Sequence, residues 1–293
     1  MKKIENRILT TQIIRDYCVW LDQCERSRET VQNYEYRLVQ FMDFLAGRPV
    51  TKDLVILWKG FLREKLAPVT VNGALAALNG FFRYCQWNDC RIRFLKISKC
   101  TFCPESRELS KQEYHRLVKT AMAKGNERLA LLLETICSSG IRVSELPFIT
   151  VAAIRKGQAE VDCKGRIRTV LLTRRLCQLL QEYADHNEIK DGMIFVTRSG
   201  KAMDRSNIWR QMKDLAFEAK VGREKVFPHN LRHLFARTYY EITKDLSKLA
   251  DILGHRDINT TRIYTIESGS KHRKQLENMG LIEVPYNRIS LLL

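Results

Sequence analysis

The sequence predicts a mainly α-helical protein of two domains, the second an α+β unit with a small antiparallel β-sheet among its helices. Three observations predict it. Apolar residues recur at helical spacing through the first hundred residues. A short stretch with a proline breaker, KCTFCPESR at 99–107, separates that region from a second run of helices. Within the second run the period changes once, at QAEVDCKGRIRTVLLT, to two strand-like segments. At 293 residues the chain is long for one domain and comfortable for two. The expected boundaries are 1–98 for the helical domain, 99–107 for the linker and 108–293 for the second domain with its C-terminal tail.

The elements follow in order. TTQIIRDYCVWLDQC sets Ile13, Ile14, Tyr17, Val19, Trp20 and Leu21 close to one stripe and predicts the first helix. SRETVQNYEYRLVQFMDFLAG predicts the second, with a capping box from Ser27 to Thr30 and a stop at Gly47. TKDLVILWKGFLREKL and TVNGALAALNGFFRYCQW predict the third and fourth, the last capped by Thr70. These make a four-helix unit near 8–98 with a basic surface. Beyond the linker, LSKQEYHRLVKTAM starts after an N-cap at Ser110. NERLALLLETICSSG reads as a buried helix stopped by Gly140. A hairpin turns about Lys164-Gly165. Helices resume from residue 174, interrupted by the apolar run MIFV at 193–196. No internal repeat or low-complexity tract interrupts them.

Charge is the strongest compositional signal, +17 at pH 7. The excess lies in both halves: residues 1–103 hold 17 Lys+Arg against 10 Asp+Glu, leaving 33 against 23 for the remainder. A basic field over two domains suits a polyanion that contacts both, although charge alone does not separate nucleic-acid binding from a merely basic protein. No run approaches the roughly eighteen apolar residues of a membrane span. The opening MKKIENRILTTQ lacks the apolar core of a signal peptide. The nine cysteines, odd in number and irregular in spacing, suit a reduced cytoplasm. Cys100-x-x-Cys103 has metal-like spacing, but no second pair or His motif accompanies it, which favours free thiols in a linker over a structural zinc. Neither a metal nor a cofactor is expected.

A few polar residues of the second domain stand out. Arg142 follows the glycine stop in SSGIRVSELPF, and Lys164 sits at the hairpin tip. His229 and Arg232 are three apart, on one helical face. His255 follows LG at a helix end, and Tyr264 comes nine residues later in TTRIYT. Taken singly, an arginine or tyrosine is ordinarily surface or core and a histidine structural. Taken together they suit attack on a DNA phosphodiester. That reaction needs a nucleophile, fixed positive charge on the two non-bridging oxygens and a proton donor for the departing 5′-oxygen. Arginine serves the second need because its planar fork pairs with phosphate and stays protonated. Tyrosine, whose phenol ordinarily titrates at about 10, becomes a nucleophile once such charge and a neighbouring base favour the phenolate.

SGIRVSEL, then CKG about twenty residues on, then HNLRH, LGH and the tyrosine resemble the tyrosine recombinase (phage integrase) family, of the compact two-domain Xer-like type. The first domain is similar to that family's core-binding domain, with SRETVQNYEYRLVQFMDFL and VTVNGALAALNGFFRYC in place of its first and last core-binding helices. The resemblance implies the following roles. Arg142 and Arg232 bind the scissile phosphate, Lys164 protonates the leaving 5′-oxygen, and His229 does acid–base work on the Tyr264 proton. His255 hydrogen-bonds a non-bridging oxygen, and Tyr264 becomes joined to the 3′-phosphate. Glu145 orients Arg142, while His233 supports the site or simply packs in its helix. The implied activity is cutting and rejoining DNA without ATP, for integration, excision, inversion or resolution of a DNA element. The implied partners are a double-stranded recombination site, further copies of the chain (a dimer on one site, a tetramer in the synapse) and accessory DNA-bending or directionality factors. The implied location is the nucleoid.

There are departures. The run CKGRIRTVLL is shorter than the family's GKGxKxR-like run and lacks its VPL ending, so Arg166 or Arg168 are candidates to share the role of Lys164. No arm-binding domain is expected before residue 8. In the tail, KHRKQLENM reads as a helix and LIEVPYNRISLLL follows. Packing on a neighbouring protomer, as in the family, and docking on its own domain both stay open. A type IB topoisomerase shares the active-site logic. An idle DNA-binding relative is disfavoured by the presence of all six catalytic positions.

Overall fold

The protein, seen here in a computed structural model, is described for residues 7–97, 108–162, 167–255, 257–264 and 276–281. The chain divides into two compact units, Met1–Lys99 and Cys100–Leu293.

The first unit is helical: α1 (Thr11–Gln23), α2 (Arg28–Leu45), α3 (Lys52–Lys65) and α4 (Pro68–Tyr84). Thr10 and Thr51 cap α1 and α3 by accepting from backbone N–H groups three residues on. Two expected caps are corrected. Ser27 does precede α2, but its hydroxyl pairs with that of Thr30 at 3.0 Å, because the residue three on is not the Glu or Gln a capping box needs. Thr70 lies inside α4, which begins earlier because Pro68, with its fixed φ and missing N–H, suits the first helical position after Ala67. Likewise α2 ends at Leu45, with Ala46 already left-handed before Gly47. The apolar faces meet in an aromatic core in which Phe41 packs 5.1 Å from Trp58 and 6.3 Å from Phe82. Asn72 and Asn79, two turns apart on α4, each pair in both directions with backbone of the following extended segment, at Leu95 and Ile92.

The second unit opens with α5 (Lys111–Ala123) behind a full capping box of Ser110 and Glu113. Its neighbour α6 (Glu127–Ser139) is its most buried helix and stops where expected, at Gly140, φ +66°. Next come a 3₁₀ turn (Val143–Phe148), α7 (Val151–Lys156) and the hairpin β1 (Gln158–Asp162) and β2 (Ile167–Leu171). The strands are antiparallel, with Asp162 opposite Ile167 and Gln158 opposite Leu171. Then α8 (Arg174–His186), α9 (Arg205–Glu218), α10 (Pro228–Thr243), α11 (Leu246–Leu253), the single turn α12 (Ile258–Thr261) and a 3₁₀ turn ending at Tyr264 follow. The MIFV run forms two isolated bridges, Met193 to Thr150 and Val196 to Ala202, and adds no strand to the sheet.

Lys164, Gly165 and Arg166, Cys100 and Cys103, and most of the tail lie outside the described residues. Of the expected tail helix, 276–278 are described and helical. Six described cysteines are free thiols. Among the described residues no helix is long and apolar enough to cross a membrane.

Candidate active site

Arg232 is the largest polar side chain in the interior, 1% exposed, on α10. Its guanidinium donates to the carbonyl of Gly140, which ends α6, and through Nη2 to that of Leu253, the last residue of α11, at 2.7 Å. Both are helix C-termini, where carbonyls lack partners and the backbone dipole favours a cation. The seat is therefore prepared by two helices whose glycine stops were legible in the sequence. Burial pushes the Arg232 pKa down to about 10, with Arg142 adding to the fall and an interaction with the Tyr264 phenol opposing it. The group stays charged at neutral pH.

Arg142 is held differently. It begins the 3₁₀ turn, and Glu145, three residues on, takes both its backbone N–H at 2.8 Å and its Nη1 at 2.9 Å. The side chain of Arg142 remains 32% exposed while that of Glu145 is 2% exposed. Burial pushes the Glu145 carboxyl up. The Arg142 backbone N–H, the Arg168 charge and the Arg142 side chain overcome this and hold it below the usual carboxylate range.

His255 follows α11. Its Nε2 lies 3.1 Å from Nη2 of Arg232 and its Nδ1 2.9 Å from the hydroxyl of the buried Thr261. A guanidinium only donates, so Nε2 must accept and the ring proton sits on Nδ1, facing Thr261. Burial first, then Arg232, Arg142 and Arg168, lower its pKa to about 4, so the ring is neutral.

Tyr264 is 3% exposed and packs with Ala236, Leu249 and Leu253. Its ring meets the His233 ring edge-on at 4.7 Å and stacks on His255 at 5.9 Å. His233 in turn meets His229 at 4.6 Å. The order is thus His229, His233, Tyr264, His255. His233, given only a supporting or packing place by the sequence, touches the tyrosine from one side as His255 does from the other. Its pKa is lowered to about 3, by burial and then by His229 and Arg237. His229, exposed at the rim, is lowered by burial, Arg232, Arg142 and Arg205.

A cleft of about 300 Å³ opens over Arg142, His229 and Arg232. Arg205 and Trp209 of α9 line it too, and sequence reasoning missed both, since neither sits in a motif with its neighbours. Arg168 corrects an expectation. It is not poised as a proton donor: its guanidinium is bound to Glu145 at 2.6 Å and to the carbonyl of Ile252 at 2.9 Å. The site thus brings Arg142, Arg168 and Arg232 within electrostatic reach of one another, with the Glu145 carboxylate on the first two, a field suited to a phosphate. Among the described residues no group of three or more His, Cys, Asp or Glu converges as a metal site would require.

Comparison with known proteins adds the following. The profile of the phage integrase family matches residues 107–270, and that of the phage integrase N-terminal SAM-like domain matches 14–89. Tyrosine recombinase XerC of Roseiflexus castenholzii is 30% identical over 272 residues, covering 83% of this chain and 85% of the relative. Tyrosine recombinase XerA of Pyrococcus furiosus is 25% identical over 290 residues, covering 96% and 98%. Among solved structures, XerH recombinase in a post-cleavage complex with a palindromic difH substrate aligns with a TM-score of 0.69 at 21% identity, covering 95% and 91%. The Tn1549 transposon integrase bound to transposon right end DNA aligns with a TM-score of 0.72 at 14% identity, covering 92% and 98%. At those identities the structures bear on the fold alone.

Proposed function

The chain belongs to the phage integrase family and is a tyrosine site-specific recombinase; from that premise we propose that Tyr264 is its nucleophile and that Arg142, Lys164, His229, Arg232 and His255 serve it. The observation that carries the reading is the seating of Tyr264 between two neutral imidazoles, beside the Arg232 guanidinium, which no carboxylate among the described residues neutralises.

The scissile phosphate enters the cleft with its non-bridging oxygens on Arg142 and Arg232. His255 gives up its contact with Arg232 and donates a ring N–H to one of them. The phenol oxygen of Tyr264 bonds to phosphorus as the bond to the 5′-oxygen breaks, leaving a 3′-phosphotyrosyl link. The phenolic proton leaves toward His229, the most exposed imidazole of the row, past His233, which lies between them. Lys164 gives a proton to the departing 5′-oxygen. Because the histidines are weak bases here, the arginine field contributes most, by stabilising the charge that develops on the phosphate. Rejoining reverses the steps, and the phosphotyrosyl link replaces ATP as the energy store. The expected DNA is a double-stranded recombination site, bound by a dimer and brought into a tetrameric synapse, with accessory factors setting direction. The expected compartment is the cytoplasm, at the nucleoid.

The test is covalent trapping on a nicked suicide substrate. Wild type should form a protein–DNA adduct, and should do so in EDTA, since arginine charge stands where a two-metal nuclease holds its ions. Tyr264→Phe should bind the same DNA and form none. Adduct at wild-type levels in that variant would overturn the assignment.

A further inference from the structure

Glu145 poses an electrostatic problem. A carboxylate paired with Arg142 alone would form a neutral couple, and a neutral couple is a poor phosphate ligand. Removing a carboxylate from water with one partner, itself a third exposed, also costs free energy that a single ion pair does not reliably return. The structure places a second arginine on the far side. Arg168, on β2 and 14% exposed, donates Nη2 to the same Glu145 oxygen that takes the Arg142 backbone N–H. Its Nη1 reaches the carbonyl of Ile252 near the end of α11. Its Nε is buried without a hydrogen-bond partner among the described residues, a cost that packing alone does not explain.

The backbone is shaped around this side chain. Gly254, φ +65°, ends α11 one residue before His255, and a Cβ there would collide with the Arg168 Cδ. The hairpin, the Arg142 turn and the helix that delivers His255 therefore converge on one guanidinium.

We propose that Arg168 is a positioning residue that completes the charge of Glu145, so that Arg142 is held in place yet keeps a net positive charge for the scissile phosphate. The inference rests on the phosphate clamp described above. Among the described residues the charged groups directly on Glu145 are Arg142 from its own turn and Arg168 from β2. Arg232 of α10 and the neutral His255 after α11 lie in the field of these two.

Arg168→Met, Arg168→Lys and Glu145→Gln test it by single-turnover adduct formation at saturating DNA from about pH 4 to 9, a window that reaches below the ordinary carboxylate value. Arg168→Met should bind DNA within about twofold of wild type and form adduct about 10- to 100-fold more slowly, the scale seen when a group that orients a functional ligand is lost. The sign of the pH effect is fixed. Arg168 lowers the Glu145 pKa, so its removal raises it, and the acid limb of the rate profile should move to higher pH. Arg168→Lys, which restores the charge, should return that limb toward wild type. Arg168→Met combined with Glu145→Gln should be no slower than Glu145→Gln alone, and this pair keeps the test open if the single variant does not fold. An unmoved acid limb, additive losses, or full rescue of Arg168→Met by a 5′-thio leaving group would each overturn the proposal. A wild-type protein that forms no adduct would overturn the clamp instead.

Discussion

Arg142 and Arg232 line one cleft, and they are held by opposite kinds of partner. Arg232 is sealed inside the protein by neutral carbonyls at the ends of α6 and α11, the parts of those helices that already attract a cation. Arg142 stands at the rim, fixed by a full negative charge on its own turn. Carbonyls hold a guanidinium without cancelling it. A carboxylate holds it more firmly and takes its charge away. The difference explains why the second seat needs Arg168 and the first needs no further ion.

The largest expected effect breaks the comparison at Arg232. Arg232→Ala leaves two helix-end carbonyls facing a hole, at about 1–3 kcal/mol each, and removes half the clamp. Adduct formation should fall by about 10²–10³-fold and the unfolding midpoint should drop clearly. Arg142→Ala should lose cleavage on the same scale. Its stability should change by only about 1 kcal/mol, because its side chain is a third exposed and Glu145 keeps Arg168. Single-turnover trapping and thermal unfolding on both variants check this. Equal stability losses would mean the two seats do not differ as described.

A smaller effect sharpens the comparison by setting the arginines against the hairpin lysine. Replacing the 5′-oxygen by sulfur supplies a leaving group that needs little protonation. Lys164→Ala should then recover much of its lost cleavage, while Arg142→Ala should not. If the arginine variant alone recovers, or neither does, the acid is not Lys164.

How much of these seats could be read in advance follows the range of the contacts that build them. The Ser110 cap and the Gly140 stop are local signals within a few residues, and both stand in the structure. Glu145 was legible for the same reason, three residues from Arg142 on one turn. The expected caps at Ser27 and Thr70 failed locally too, where the wrong third residue and an overlooked Pro68 decided the helix starts. The Arg232 seat joins residues 92 and 21 positions away, and the Arg168 bridge spans 23 and 84. No periodicity carries such pairings. The sequence shows that Arg168 lies four residues past Lys164, which suggested a shared role, but not that its guanidinium is buried on Glu145. The contact of His233 with Tyr264 escaped for a related reason. It depends on where the last turn folds back, and nothing near residue 233 encodes that.

The central claim is that the arginines act by balancing the charge of the scissile phosphate, and a neutral phosphate tests it directly. Replacing one non-bridging oxygen by a methyl group removes the negative charge but keeps the leaving group and the DNA. Arg142→Ala, the clamp variant expected to stay folded, should then form adduct about a hundredfold faster than it does on the ordinary phosphate, regaining the scale it lost. If it remains as slow on the neutral phosphate as on the charged one, while binding both DNAs, charge balance is not what Arg142 supplies.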